Sequence, residues 1–140
     1  MAGSFSDYLE GQLLDGTLGG GTWTKPATVY LGLWTAALTD ASTGATASEV
    51  ANAAAYARVA VTNNATNFPA ASGGSKSLNV AFSFPAATGS WGTVTYGAIL
   101  DSATHGAGNI LGWFDLTTPK TIGNGDTATF GIGSIVVTLT

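Results

Sequence analysis

The sequence predicts an all-β fold: a β-sandwich of the jelly-roll type, with a short N-terminal helix or arm. Three observations carry this reading. Runs of β-branched and aromatic residues alternate with polar ones over most of the chain. Gly, Asn, Asp and Pro clusters punctuate the runs at the spacing of sandwich or barrel turns. There is no strand–helix–strand rhythm, and no internal repeat at any period from about 20 to 50 residues. An immunoglobulin-like strand order is the alternative, weakened by the missing Cys…Trp…Cys pattern.

The helix is predicted from Phe5, Leu9 and Leu13, which recur at i, i+4 and i+8 within residues 4–14. Ser4 with Asp7 resembles a capping box, and Gly16 is placed to end the helix. Gly11 weakens it by about 1 kcal/mol relative to Ala. So short a helix must dock on its own sandwich or on a neighbouring subunit. Gly19, Gly20 and Gly21 then form a flexible joint. Residues 1–21 are therefore read as helix and Gly-rich arm, and 22–140 as one sandwich domain.

Strands are predicted at residues 28–35, 57–62, 78–84, 94–100, 109–116, 127–132 and 135–139, with a short edge piece at 118–122. Residues 38–54 and 63–76 read as loops, the first passing into an Ala-rich stretch at 50–57 that offers a helical turn. Gly123-Asn124-Gly125-Asp126 is a strong turn signal.

Composition narrows the function classes. The 140 residues suffice for one domain that folds without staples. There is no cysteine, so disulfides and thiolate metal sites are excluded. No stretch approaches the roughly 20 apolar residues of a membrane helix, and residues 1–15 lack the basic and apolar regions of a targeting segment. Only 9% of residues are charged, against roughly 25% in ordinary soluble domains. A surface so poor in charge is easiest to understand when much of it is covered in an assembly. The net charge of −4, with Lys25, Arg58, Lys76 and Lys120 isolated from one another, argues against a nucleic-acid partner.

Catalytic chemistry finds little to work with. His105, the single histidine, sits in a small-residue turn and reads as a solvated turn residue. Zinc would need more nitrogen or sulfur ligands than the chain has. Asp7 suits the positive end of a helix. Asp101, Asp115 and Asp126 fall at strand ends or turns, where Asp bonds its own backbone. No nucleophile elbow or phosphate-binding loop is present. No enzyme activity, cofactor or metal is expected. The four tryptophans raise carbohydrate stacking as a rival function. Trp34 and Trp113 fit buried strand positions, Trp91 fits a plug at one end of the sandwich, and Trp23 is a contact residue or a clamp.

Two stretches carry a resemblance. One is Val29-Tyr30-Leu31-Gly32-Leu33-Trp34-Thr35-Ala36. The other begins at Trp91-Gly92-Thr93-Val94-Thr95-Tyr96-Gly97-Ala98-Ile99-Leu100-Asp101 and continues through Asn109-Ile110-Leu111-Gly112-Trp113 and Thr118-Pro119-Lys120-Thr121-Ile122-Gly123-Asn124-Gly125-Asp126-Thr127. In this order they are similar to small phage virion β proteins, often of tail-fibre type. Length, Cys-free composition and layout further resemble the capsid cement (decoration) proteins of podoviruses, that of a Bordetella phage among them. That resemblance implies a jelly roll on the outer surface of a tailed-phage capsid, bound to the major capsid protein and paired as a homodimer, stapling neighbouring capsomers. It implies no catalytic residues.

An exposed β edge is an easy route to such pairing. The expected contact residues are Phe5, Tyr8, Leu9, Leu13 and Trp23 on the N-terminal segment, and Ile135, Val137 and Leu139 on the last strand. On this reading, deleting residues 2–21 abolishes shell binding and leaves the domain folded. A tail or baseplate component is the nearest rival, a carbohydrate-binding module the second, and a glycosidase a distant third.

Overall fold

A computed structural model describes residues 3–139; Met1, Ala2 and Thr140, which close the ends of the two predicted segments, lie outside the described residues. The chain runs β1 (Gly3–Phe5), α1 (Asp7–Thr17), β2 (Thr28–Trp34), β3 (Val59–Thr62), β4 (Ser75–Ser77), β5 (Phe82–Ser83), β6 (Gly92–Leu100), β7 (Ile110–Ile122), β8 (Thr129–Phe130) and β9 (Val136–Thr138). It is an all-β sandwich with one short helix near the N-terminus, as the sequence predicts. One layer is an antiparallel sheet in the order β1-β7-β6-β2-β3; the other is two separate ladders, β4-β9 and β5-β8. A full jelly roll draws its two sheets from eight strands; here five lie in one layer and four make short pairs in the other.

Side-chain alternation decides what each face of the large sheet meets. Val29, Leu31, Leu33, Val94, Ile99 and Phe114 point towards the small ladders and join Phe82, Phe84, Phe130 and Ile135 in the main core. Phe130 bridges the layers, stacked on Phe82 with centroids 4.9 Å apart and edge-on to Phe114 at 6.2 Å. Gly97 makes this packing possible, because a Cβ there would overlap the Phe114 ring directly opposite it on β7. The other face carries Trp34, Ala98, Leu100 and Ile110, covered by Leu38 from the loop after β2. The Trp34 indole donates to the Thr46 carbonyl of that loop.

The N-terminal segment differs from the predicted arm. Gly3–Phe5 pairs with Gly112–Phe114, so Phe5 belongs to a strand and not to the helix. Ser6 is the N-cap: its side chain accepts from Leu9 N–H and donates to the Ile110 carbonyl, while its backbone N–H donates to Leu111 O. The cap therefore stands two residues after the predicted Ser4. Ser6 is fully buried and Leu9 lies in the core, so the boundary drawn at residue 21 does not separate this segment from the sandwich. Deleting residues 2–21 would remove an edge strand and a core leucine. Gly16 lies within the helix, which ends at Thr17 with Leu18 N–H donating to Leu14 O.

Other boundaries move for physical reasons. The predicted strand and edge piece at 109–122 form one strand, β7, in which residues 116–119 have no register partner on β6. Pro119, unable to donate to a ladder, is tolerated in that bulge. Residues 78–84 keep their alternation, but only Phe82–Ser83 forms a ladder. Leu78 instead exchanges backbone hydrogen bonds with Gly133 and Ile135, and Phe84 N–H donates to Ala128 O. The Ala-rich stretch forms no helix: Ala54 and Ala55 have φ of 52° and 64°, turning the chain so that Tyr56 enters the core.

Candidate functional site

Two constellations stand out, one closed and one open. The closed one surrounds Arg58. Its side chain is 0% exposed and that of Glu49 only 3%. Arg58 Nε and Nη2 each donate to one Glu49 oxygen at 2.8 Å, a bidentate pair. Nη1 donates to Ser102 O at 2.8 Å and Ala107 O at 2.9 Å, and Nη2 also to Gly44 O at 3.3 Å. All five guanidinium N–H groups thus have partners. Glu49 also accepts from the Tyr56 hydroxyl and from Gly106 N–H. Tyr56 in turn accepts from Leu33 N–H, and its ring packs edge-on against Trp91. His105 joins at the margin, its Nε2 2.9 Å from Val50 O and 3.7 Å from Glu49 Oε2.

The electrostatics follow from burial. Loss of water would raise the Glu49 carboxyl, but hydrogen bonds from Arg58 and Gly106, with the Arg58 charge, hold it below its ordinary value. Burial, then the Glu49 charge, push the Tyr56 phenol up. The cluster fixes the 39–58 loop and the 101–109 turn to the end of β2, and the Arg58 guanidinium and Glu49 carboxylate at its centre are fully engaged within the chain. His105 is therefore part of a tertiary network and not a purely solvated turn residue. Asp101 closes the same turn through Asn109, and Asp126 accepts from Gly123 N–H, so both bond locally as their turn positions predict.

The open constellation is a groove of about 330 Å³ lined by Phe5, Glu10, Leu13, Leu14, Thr17, Leu18 and Leu139. It brings both predicted contact regions together, the N-terminal segment and the end of the last strand. Leu14, Leu18 and Leu139 are exposed by 60, 72 and 56%. On a helix of 3.6 residues per turn, Leu9 and Leu13 turn inward while Asp7, Glu10, Leu14 and Asp15 face solvent. One helix thus has a docked apolar face and a second, uncovered one.

The predicted contact residues divide accordingly. Phe5, Leu13 and Leu139 line the groove, and Tyr8 is exposed on α1. Leu9 and Ile135 are core residues, 6 and 1% exposed, so neither is free to touch a partner. Val137 and Trp23 are half-buried against that core. The β9 edge expected to be open is paired with β4 on one side, through Ser75–Ser77. Leu14 and Leu18 line the groove but fall outside the predicted contact set; Leu14, one turn after Glu10, carries a helix-face signal that could have found it, whereas Leu18 is the extended C-cap and carries none.

The four tryptophans are spread over the fold. Trp34 and Trp91 are buried, and the Trp91 indole donates to Ala54 O. Trp113, expected to be buried, is half-buried; it tilts against Tyr96 and its indole donates to Asp40. A larger groove of about 580 Å³ lies beside the β7 bulge, between Thr117, Thr118 and Lys120 on one side and Asp126, Thr127 and Thr129 on the other. No tryptophan lines it. Among the described residues no helix is long and apolar enough to cross a membrane, and no three His, Asp or Glu side chains cluster as metal ligands would.

The chain is thus a compact β-sandwich with its one Arg–Glu cluster buried and an apolar groove open beside α1. Residues 4–138 match the model of the Podophage GP4 fiber I protein gp80 family, nearly the whole chain, and the chain belongs to that family. It is a structural protein of a phage virion. No curated protein matches the chain.

Proposed function

We propose that this chain is a non-enzymatic subunit of a podophage fibre, held in the particle through the groove between α1 and the end of β9. The observation that carries the docking is the exposure of Leu14, Leu18 and Leu139 around one groove in a chain of only 9% charged residues. Leaving such side chains in water forgoes roughly 25 cal/mol per Å² of apolar surface, which a partner recovers on covering them. The fibre assignment rests on the family's description. A non-enzymatic role is supported by the Arg58 cluster, in which every strong donor already has an internal partner.

A second reading, capsid cement, is favoured by shape. The described residues form a compact sandwich with no extended shaft, as suits a protein that sits on a shell. On that reading the partner is the major capsid protein, the location is the capsid surface, and copies pair as homodimers. Neither reading involves nucleic acid or membrane. Copy number separates them, measured by quantitative mass spectrometry of purified virions against the major coat protein. A few copies per hundred coat subunits supports the fibre; near one per coat subunit supports cement; absence from virions overturns both.

A further inference from the structure

We infer that the α1 groove takes a basic amphipathic segment of another virion protein, one with an apolar stripe flanked by Lys or Arg. This inference deepens the docking role proposed above and rests on it. The apolar half of the argument is the groove itself, floored by Phe5 and Leu13 and flanked by the exposed Leu14, Leu18 and Leu139. Apolar side chains gathered from a helix, its C-cap and two strand ends around one groove accept the apolar stripe of a partner segment.

The charged half comes from what surrounds the leucines. Glu10 lines the groove, and Asp7 and Asp15 are exposed on the same helix. The last turn of α1 carries no basic side chain, so the negative end of its dipole is uncompensated beside Leu18. None of the four basic residues lines the groove. Glu10 is the one charged side chain lining the trough, and with the negative helix end it gives the site a single sign that a cationic partner complements.

The same charges argue against a second copy as occupant. Two such grooves brought face to face would set the Glu10 carboxylate and the negative helix end of each copy against acidic surface on the other. The chain has little basic surface to offer instead: of eight acidic and four basic residues, Arg58 is buried on Glu49, leaving Lys25, Lys76 and Lys120 against the other seven acids.

The test uses the full chain and three synthetic peptides of about four helical turns. One has a leucine stripe with lysine flanks, the second the same stripe with glutamate flanks, and the third the lysine composition scrambled to destroy the stripe. Saturable binding of the first alone, weakening as salt rises, is the expected result. Glu10→Lys, at an exposed position lining the groove, should weaken that peptide about fivefold and shift the preference towards the glutamate peptide. Equal binding of both signs, binding of the scrambled peptide, or no binding overturns the proposal. So does a dimer in solution that Leu14→Ser disperses. Incorporation into virions separates this failure from that of the docking role. If Leu14→Ser is excluded from particles while the charge-reversed chain enters normally, docking stands and the basic partner falls. If Leu14→Ser also enters normally, both fall.

Discussion

The Arg58 cluster and the α1 groove are opposites in how they satisfy their side chains. Around Arg58 every guanidinium N–H and both carboxylate oxygens of Glu49 find partners within the chain. Around Leu14 and Leu18 the side chains face water and the acidic groups are unpaired. A buried charge tolerates nothing less than full pairing, so the first region is architecture. An exposed apolar groove gains when a partner covers it, which is why the second region is the surface proposed for docking. The only ion pair of an Arg or Lys with an acid among the described residues lies in the closed region.

The largest effect should come from breaking the closed region. Arg58→Ala leaves Glu49 buried without its partner and should destabilise the fold by about 3–5 kcal/mol, read from denaturant midpoints. Gly44 stands beside Ala107 so closely that a Cβ would overlap the Ala107 carbonyl, so Gly44→Ala should disturb the same clamp. Next, the two faces of α1 should separate cleanly. Leu9→Ala, in the core, should cost about 2–4 kcal/mol, whereas Leu14→Ala on the same helix should cost under about 0.5 kcal/mol. Equal losses would mean that α1 packs otherwise than described.

Acid should open the closed region first. The Glu49 carboxyl titrates below its ordinary value of 4.5 in the folded chain. Its contribution is therefore complete above that pH and is lost as pH falls through the folded value. Below about pH 4.5 this one group adds up to about 1.4 kcal/mol per pH unit of lost stability. Glu49→Gln should flatten that limb of the curve, and a limb of unchanged slope would show that other carboxylates set it. Tyr56 runs the other way: its raised phenol contributes below its ordinary value near 10 and loses that contribution as pH rises through the folded value. The smallest effect on stability, and the largest on assembly, belongs to Leu14→Ser with Leu18→Ser, which should leave the fold within about 0.5 kcal/mol of the parent.

Much of the sandwich was legible because alternation and turn chemistry are local. The strands at Thr28–Trp34 and Gly92–Leu100, and the turn at residues 123–126, follow from them directly. What was missed is tertiary. Ser4 and Ser6 are equally good caps by residue type; pairing of Gly3–Phe5 with β7 decides for Ser6. Glu49 lies in a small polar loop and Arg58 just before a strand, and nothing in their spacing announces that Ser102 and Ala107 will close over them. Leu13 and Leu139, named from helix face and chain position, line the groove, and Tyr8 is exposed. Leu9 and Ile135 were not told apart from them, because periodicity marks a residue as apolar-facing without saying which of two apolar surfaces it faces.

The most direct test co-expresses wild-type chain with the Leu14→Ser, Leu18→Ser chain during infection and measures the ratio of the two in purified virions by mass spectrometry. The account predicts a virion ratio strongly enriched in wild type, with both chains equally folded and equally abundant in the lysate. Equal incorporation of the two chains would contradict it, and would leave the groove on α1 without a role in the particle.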